Sequence, residues 1–205
     1  MSIYLDISAA VHRRAGLGRY AESLARALVP ELGDRLAFFY NREQGIEPLD
    51  GLETIPARTV ALGYKPWRMM VWLGQMAHTS FRGLVPDAAL FHAAEHLLLP
   101  LQNCPAVLTV HDLIFQDLPE HHKPLNRWYL RRALPLFCRR ADHIIAVSDA
   151  TRRDLMATYN LPPDKITVIA EAADPRFGPT SETAQVRARA RYGLPEEYLL
   201  CVSTL

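Results

Sequence analysis

The chain has 205 residues, of which 49% are hydrophobic and 22% are charged, and its formal net charge at pH 7 is +1. This composition is typical of a globular protein, and the length suffices for one large domain or for one domain and part of a second. The near-neutral charge gives no electrostatic reason to expect a nucleic-acid partner, so we expect none.

Targeting signals and cysteine spacing both bear on where the protein works. The segment MSIYLDIS has no basic stretch followed by an apolar core, which argues against a signal peptide. No apolar run approaches the ~20 residues that span a bilayer. Cys104, Cys138 and Cys201 lie far apart without CxxC spacing, which is typical of reduced cysteines and not of a metal knuckle. We therefore expect a cytoplasmic protein.

Short apolar segments alternate with helical patterns over most of the chain. Strands are predicted at residues 3–7, 36–40, 59–62, 88–92, 106–111, 143–147 and 166–169, and helices at 18–29, 67–78, 125–140 and 150–159. This alternation predicts βαβ units, and therefore an α/β fold with a parallel sheet. The later strands are apolar and β-branched throughout, as expected where helices cover both faces of the sheet.

The composition changes near residue 172. Residues 172–179 contain two prolines and one glycine and predict a linker. A polar helix is predicted at 181–192 and an apolar strand at 198–202, just before the chain ends. We expect residues 1–178 to form the first domain, and residues 179–205 to supply the linker, a helix and the first strand of a truncated second domain.

The segment AGLGRYA, residues 15–21, spells G-x-G-x-x-A, a fingerprint of dinucleotide-binding loops. In that fold the first glycine closely follows the first strand, and an acid near the end of the second strand binds the ribose. Here Gly16 follows the loop SAAVHRRA, and the second strand ends in Asn41 and Arg42, which argues against NAD or FAD. Two glycines at a helix start still let an anion approach the backbone N–H groups. A flexible loop before a helix is the equally weighted alternative.

Residues 92–96, HAAEH, match the H-x-x-E-H pattern of inverted zinc proteases. That chemistry requires both histidines on one helix face, whereas His92 ends a predicted strand. We therefore predict no metal site. His92 either bonds a ligand hydroxyl in a cleft or is a hydrogen-bonded structural histidine, and both interpretations stay open.

His111 and Asp112 lie at the end of the buried strand VLTV. Open parallel sheets bind their ligands beyond the carboxyl ends of the strands, so this pair and His92 are expected at one edge of the sheet. A neighbouring histidine and aspartate can orient an imidazole and hold a polyol. The alternative is a capped strand end without chemistry, but two histidine-bearing strand ends at one edge favour a functional site.

The predicted helix at 125–140 is strongly basic. Its five arginines are Arg127, Arg131, Arg132, Arg139 and Arg140, and its apolar face comprises Trp128, Leu130, Leu134 and Phe137. A solvated helix face is the favoured interpretation. Docking on an anionic membrane surface is the alternative. The aromatic stretch at 64–67 would either add an interfacial anchor to that surface or pack in the core.

Three longer segments carry a resemblance to a known family. GLGRYAESLARAL, LTVHDLIFQDLPEHHKPLNRWYLRRALPLFCRRADHIIAVSDATRRDL and LPPDKITVIAEAADPRF resemble the N-terminal half of retaining glycosyltransferases of family four (group 1), in order and over nearly the whole chain. The resemblance implies one half of a GT-B fold: a Rossmann-like open parallel sheet with helices on both faces, which mainly holds the acceptor. A second domain of similar build would hold the nucleotide-sugar.

The resemblance also implies a reaction and its partners. The reaction is transfer of a hexose from a UDP- or GDP-linked sugar to a hydroxyl of a glycan or lipid-linked acceptor, with retention of the anomeric configuration. Cell-surface polysaccharide or glycan synthesis is the expected setting. No cofactor and no metal ion are required by this mechanism.

The family's functional residues fall on particular positions of this chain. A glycine-rich loop would close over the donor diphosphate, a catalytic histidine would contact the transferred sugar, and further polar residues would line the sugar and acceptor side. The glycine-rich loop falls on Gly16, Leu17, Gly18 and Arg19, and the catalytic histidine falls on His111. The residues of the sugar and acceptor side are Asp6, His92, His96 and Asp112.

The chain departs from the family pattern at its end. It stops at CVSTL, where the second domain should begin, so the basic pair and the two glutamates of that missing C-terminal domain are absent. We therefore expect the chain by itself to be inactive. AEAAD stands where a proline and a glycine are common. Two alternative functions stay open: a non-catalytic single domain that binds a glycan or nucleotide, and a sugar-nucleotide epimerase of the same architecture.

Overall fold

The computed structural model describes residues 1–43, 46, 48–174 and 176–201. Its contacts divide the chain into two compact units, Met1–Glu171 and Ala172–Leu205. The smaller unit contains one helix, Glu182–Tyr192, among its described residues. That this unit opens a truncated second domain stays a prediction. None of the described helices is long and apolar enough to cross a membrane.

One parallel sheet runs through the larger unit. Among the described residues its strands are β1 (Ser2–Asp6), β2 (Leu36–Asn41), β3 (Ala57–Val60), β4 (Ala88–Ala93), β5 (Ala106–Val110), β6 (His143–Ala146) and β7 (Ile166–Val168). The spatial order is β3-β2-β1-β4-β5-β6-β7, and every neighbouring pair is parallel. The order reverses direction between β1 and β4. Ligands of open α/β sheets bind beyond the carboxyl ends of the strands at such a switch point.

Helices connect the strands and cover both faces of the sheet. Those of the larger unit are α1 (Ser8–Val11), α2 (Ala15–Leu32), α3 (Tyr64–Met76), α4 (Ile114–Asp117), α5 (Pro124–Arg140) and α6 (Asp149–Tyr159). The helix of the smaller unit is α7 (Glu182–Tyr192). The start of α6 is capped by Ser148, whose Oγ accepts from the backbone N–H of Thr151. This cap fixes where the chain turns from β6 into α6.

The core consists of two apolar clusters, one on each face of the sheet. Neighbouring residues of β2 point in opposite directions, so Phe38 packs with Ala21 of α2, whereas Phe39 packs with Trp67 of α3. Phe39 and Trp67 are completely buried. The predicted fold class, a Rossmann-like open parallel sheet with helices on both faces, is confirmed.

The structure differs from the prediction in the connection after β1. Residues 8–15 were expected as a loop, but Ser8–Val11 form the short helix α1, all four residues of which are buried. A Cβ atom on Gly18 would lie 2.8 Å from the carbonyl oxygen of Ala9. Gly18 is therefore required by the close packing of α2 against α1. Because α2 begins at Ala15, three residues earlier than predicted, both glycines of the motif lie in its first turns.

Two predicted strands also differ from the structure. β3 lies two residues before the predicted segment, because this edge strand is mostly exposed and its sequence pattern is weak. Residues 198–201 form no strand, and Val202 lies outside the described residues. A strand requires a pairing partner, and none is present for this segment within the described residues.

Candidate functional site

The carboxyl ends of the central strands bring the predicted polar residues to one edge of the sheet. Asp6 is the last residue of β1, His92 is the last but one of β4, and His111 follows β5 directly. His96 comes three residues after β4, and its ring centroid lies 5.9 Å from that of His111. These side chains therefore lie around the switch point between β1 and β4, at the carboxyl ends of the strands, as the sequence predicts.

The imidazole of His111 bridges two neighbouring segments of this edge. Its Nδ1 lies 2.8 Å from Oε1 of Glu171, and its Nε2 lies 3.0 Å from the carbonyl oxygen of Ala94. Both partners are acceptors, so only a doubly protonated ring can donate to both, and a neutral ring can donate to one. The ring of Tyr20 packs edge-on against it, with centroids 4.8 Å apart. His111 is therefore held in one orientation by contacts on three sides.

His92 belongs to a hydrogen-bonded network on the sheet. Its Nε2 lies 2.8 Å from Oγ1 of Thr109 on β5, and the hydroxyl of Tyr20 lies 3.4 Å from the same oxygen. Burial lowers the pKa of His92 to about 4, so the ring is neutral at neutral pH. Nε2 of His92 thus makes a structural hydrogen bond, and that His92 also bonds a ligand hydroxyl stays a prediction.

His96 is buried and also neutral. Burial, followed by the nearby charge of His111, lowers its pKa to about 4. Its Nε2 accepts the backbone N–H of His111 over 3.1 Å. Because Nε2 is the acceptor, the proton of the neutral ring sits on Nδ1. His96 thus fixes the backbone at the end of β5 while its ring lines a cavity.

Two carboxylates are buried close to the switch point. Oδ1 of Asp6 accepts the backbone N–H of Ser8 over 2.8 Å, and Oε2 of Glu95 lies 2.7 Å from the guanidinium of Arg14. The second oxygen of each carboxylate, Oδ2 of Asp6 and Oε1 of Glu95, is buried without a hydrogen-bond partner among the described residues. Burial, followed by the charge of Glu95, raises the pKa of Asp6 to about 7. Asp6 is therefore about half protonated near neutral pH.

A stack of cations and aromatic rings closes the site on the side of α3 and α5. The guanidinium of Arg14 lies 3.2 Å from the ring centroid of Tyr64, and that of Arg68 lies 4.9 Å from the same centroid. Arg68 also lies 3.9 Å from the ring centroid of Tyr129. Nothing in the spacing of these residues indicates that they meet, so the stack was not expected from the sequence. In the aromatic stretch at 64–67, the ring of Tyr64 therefore packs against the two arginines and Trp67 is completely buried.

A cavity of about 220 Å³ lies between these groups. Its lining is Leu17, Tyr64, Arg68, Glu95, His96, Asp112, Phe115, His122, Asn126 and Leu130. Of the predicted site residues, Leu17, His96 and Asp112 line it, whereas Asp6, His92 and His111 lie beside it. Carboxylates, a guanidinium, an amide and imidazoles are groups that bond hydroxyls, and the rings supply apolar contact. The cavity has the chemistry of a small polar-ligand site.

The predicted phosphate loop lies in the first turns of α2. Gly18 is buried, and its N–H bonds the carbonyl oxygen of Arg14. A Cβ on Gly16 would have no neighbour within 4 Å, so the backbone there is open to a ligand. Arg19 is exposed, with its guanidinium 3.9 Å from Glu22. The open part of the segment is therefore Gly16 and Leu17, and Gly18 is a packing residue.

The zinc-protease pattern lacks the geometry of a metal site. His92 lies in β4 and His96 in the following loop, so the two rings do not share a helix face. Among the described residues no group of three histidine, cysteine, aspartate or glutamate side chains is placed to hold a metal ion. The buried carboxylate of Glu95, between the two histidines, pairs instead with Arg14.

The basic helix α5 is partly as predicted. Arg131, Arg132, Arg139 and Arg140 are exposed. Trp128, expected on the apolar face, is 45% exposed and packs edge-on against Trp72 at the border of α3 and α5. Leu130, Leu134 and Phe137 are buried as expected.

Comparisons with known proteins agree with this architecture. The model of Glycosyltransferase Family 4 matches residues 14–177. Crystal structures of Anabaena Alr3699/HepE in complex with UDP and glucose, with UDP, and with UDP-glucose are similar, with TM-scores of 0.56 and identities of 19%, 21% and 20%. In each comparison the matched region covers 94% of this chain and 50% of the Anabaena chain, so this chain spans about half the length of that protein. No curated protein sequence matches the chain.

Proposed function

Because the chain belongs to glycosyltransferase family 4, we propose that it is the acceptor-binding half of a retaining glycosyltransferase. The reaction breaks the bond between the anomeric carbon of a nucleotide-sugar and its diphosphate oxygen. A hydroxyl oxygen of the acceptor bonds to that carbon from the same face, and the hydroxyl proton leaves with the diphosphate. Cell-surface polysaccharide or glycan synthesis is the proposed setting.

The observation that carries the proposal is the position of the cavity of about 220 Å³. It lies beyond the carboxyl ends of β4 and β5, next to the switch point where sheets of this kind bind ligands. His96 and Asp112 face it from the strand ends, and Tyr64 and Arg68 face it from α3. Hydroxyl-bonding side chains combined with aromatic rings match a sugar-bearing acceptor.

The proposed roles of the remaining residues follow from their places around the cavity. His111 contacts the transferred sugar and orients it, because its ring is held in one orientation beside the cavity. The open backbone at Gly16 and Leu17, with Arg19 nearby, faces the departing diphosphate. Asp6 lies beside the cavity at the end of β1. Donors aimed at the developing negative charge are the main catalytic contribution expected of such a site.

The donor is bound mainly by a domain beyond residue 205, and the described chain alone is proposed to be inactive. A UDP-linked sugar is the first donor to test, because the Anabaena structures are complexes with UDP and UDP-glucose. A GDP-linked sugar is the second. No cofactor or metal ion is part of the proposal.

We also propose peripheral contact with an anionic membrane on its cytoplasmic side. Neither α3 nor α5 contains an acidic residue. The exposed apolar side chains on the two helices are Met69, Met70, Leu73, Met76, Leu125 and Trp128. Free cysteines support the reducing side of the membrane. We expect the protein to bind phosphatidylglycerol vesicles but not neutral phosphatidylcholine vesicles. The double variant Arg131→Gln plus Arg132→Gln should lose this binding.

The experiment that tests the function uses the product of the complete gene. Release of UDP or GDP is followed with and without acceptor, and the anomeric configuration of the product is read by NMR. Acceptor-dependent release with retention is expected. Consumption of the nucleotide-sugar without acceptor would instead indicate an epimerase. Binding without turnover of any nucleotide-sugar would indicate a binding module.

A further inference from the structure

Arg68 differs from the other arginine of the site in its lack of an ionic partner. Arg14 is paired with Glu95 over 2.7 Å, whereas no carboxylate of the described residues lies within 4.0 Å of the Arg68 guanidinium. Within the described part of the chain, the Arg68 side chain donates to Oδ1 of Asn126, 2.9 Å from Nη1. A guanidinium carries five N–H donors, so most of its donor capacity is left for a ligand.

The surroundings hold this guanidinium in a fixed place. It lies against the ring of Tyr129 on one side and near the ring of Tyr64 on another, and Asn126 fixes one end of its planar group. The backbone is fixed as well, because the hydroxyl of Tyr129 donates to the carbonyl oxygen of Arg68 over 3.2 Å. Such an arginine loses little conformational freedom when it binds an oxyanion through two parallel hydrogen bonds.

The charge around the cavity is unevenly distributed. Arg14 and Arg68 both approach the ring of Tyr64, but one glutamate, Glu95, balances only the first of them. The other acid of the lining, Asp112, accepts the backbone N–H of Ile114 through Oδ1. A ligand that matches this lining carries an oxyanion toward Arg68 and hydroxyl groups toward the carboxylates.

We propose that the cavity recognises an acidic sugar, with its carboxylate or phosphate bound by Arg68 and its hydroxyls bound by Asp112 and Glu95. This deepens the proposed function, on which it rests, by naming the chemical class of the acceptor. Pockets for drug-sized ligands measure roughly 300–1,000 Å³, so a cavity of about 220 Å³ holds one sugar ring. Arg68 thereby sets acceptor specificity.

The test compares neutral and acidic sugars on the 205-residue chain and on the product of the complete gene. Glucose, glucuronate and glucose 6-phosphate are titrated at constant ionic strength, and their binding is followed by NMR. In the turnover assay of the complete protein, acceptors that end in each of these three sugars are compared. We expect an acidic sugar to bind about 10- to 100-fold more tightly than glucose, because hydrogen bonds to a charged group stabilise a complex by about this factor. The two acidic probes distinguish a carboxylate from a phosphate.

Three variants locate the effect. Arg68→Gln is expected to reduce the affinity for acidic sugars to that for glucose. Arg153→Gln, which removes an exposed charge of α6 outside the cavity, is expected to leave that affinity unchanged. Asn126→Asp keeps the arginine but places a competing carboxylate beside it, so it should weaken acidic sugars and spare glucose even where Arg68→Gln folds poorly.

Three results would overturn the inference, and they distinguish its failure from the failure of the proposed function. Equal affinity of the wild-type chain for glucose and both acidic sugars would contradict the anion preference, and so would equal losses of affinity in Arg68→Gln and Arg153→Gln. Either result leaves the proposed acceptor site itself in place. No binding of any sugar, together with no transfer to any acceptor, removes the proposed function itself.

Discussion

Replacing Asp6 by asparagine is expected to stabilise the protein above neutral pH. Burial and the charge of Glu95 raise the pKa of Asp6 from 3.8 to about 7. Since one pKa unit equals ~1.36 kcal/mol, ionising Asp6 costs ~4 kcal/mol more in the folded than in the unfolded chain. The asparagine side chain keeps an oxygen that accepts from Ser8 and removes the ionisation.

The sign of the pH dependence follows from linkage. Between roughly pH 4 and 7 the unfolded chain releases the proton of Asp6 while the folded chain keeps it, so the free energy of unfolding falls as pH rises. Below about pH 4 both states are protonated and the variant gains little. At about pH 8 both states are ionised, and the variant is expected to be more stable by ~4 kcal/mol.

Urea unfolding of both proteins at about pH 4, 6 and 8 measures this difference. Asp87→Asn is the matched control with the opposite sign, because hydrogen bonds from Ser2 and Tyr4 lower the pKa of Asp87. That variant should lose stability at about pH 8, and this loss should shrink as the pH falls toward the lowered pKa of Asp87. If Asp6→Asn instead follows the wild-type curve in parallel across this range, the argument that Asp6 is protonated in the folded protein is refuted.

Three further predictions concern the cleft and the start of α2. In the product of the complete gene, His111→Ala should lower kcat/KM about 100-fold with a much smaller change in the unfolding midpoint; equal losses would make His111 structural. Glu171→Gln should change the free energy of unfolding by less than ~1 kcal/mol, because the Glu171 side chain is 48% exposed. The same variant should shift the ¹⁵N resonance of His111 Nδ1, and an unchanged spectrum would contradict the contact. Gly18→Ala should destabilise the chain by ~1–3 kcal/mol through the clash with Ala9. Gly16→Ala, with open space around it, should not destabilise, and equal effects at both glycines would refute the packing argument.

The fold was predictable wherever a strand reads as a continuous apolar run. β5 and β6 are such runs, and their bounds agree with the prediction within one residue, although only alternate residues of β6, Ile144 and Ala146, are buried. The edge strand β3 has no buried face to impose a pattern, which explains its shift. α1 was missed because four residues are too few to show a helical period.

The candidate site was predictable only for residues at strand ends. Chain order and the parallel sheet suffice to bring His96 and His111 together, since the carboxyl ends of neighbouring strands share an edge. The same rule applies to Glu171, three residues after β7, but no motif drew attention to it. Arg68 and Tyr64 come from α3, and their places depend on how that helix packs against α5. Contacts of this kind depend on side-chain shape, and no pattern of residue spacing in the sequence indicates them.

The glycine motif shows why a short pattern does not define its ligand. In the dinucleotide fold one glycine permits close packing of the helix on its strand; here Gly18 permits close packing of α2 on α1, and its N–H is already bonded to Arg14. Only the backbone at Gly16 and Leu17 remains to face an anion. In the proposed function, an anion there would meet one helix start and exposed arginine side chains, without the strand-end acid that selects a dinucleotide ribose. The segment is therefore suited to a diphosphate whose nucleoside is recognised elsewhere, as the proposed function requires.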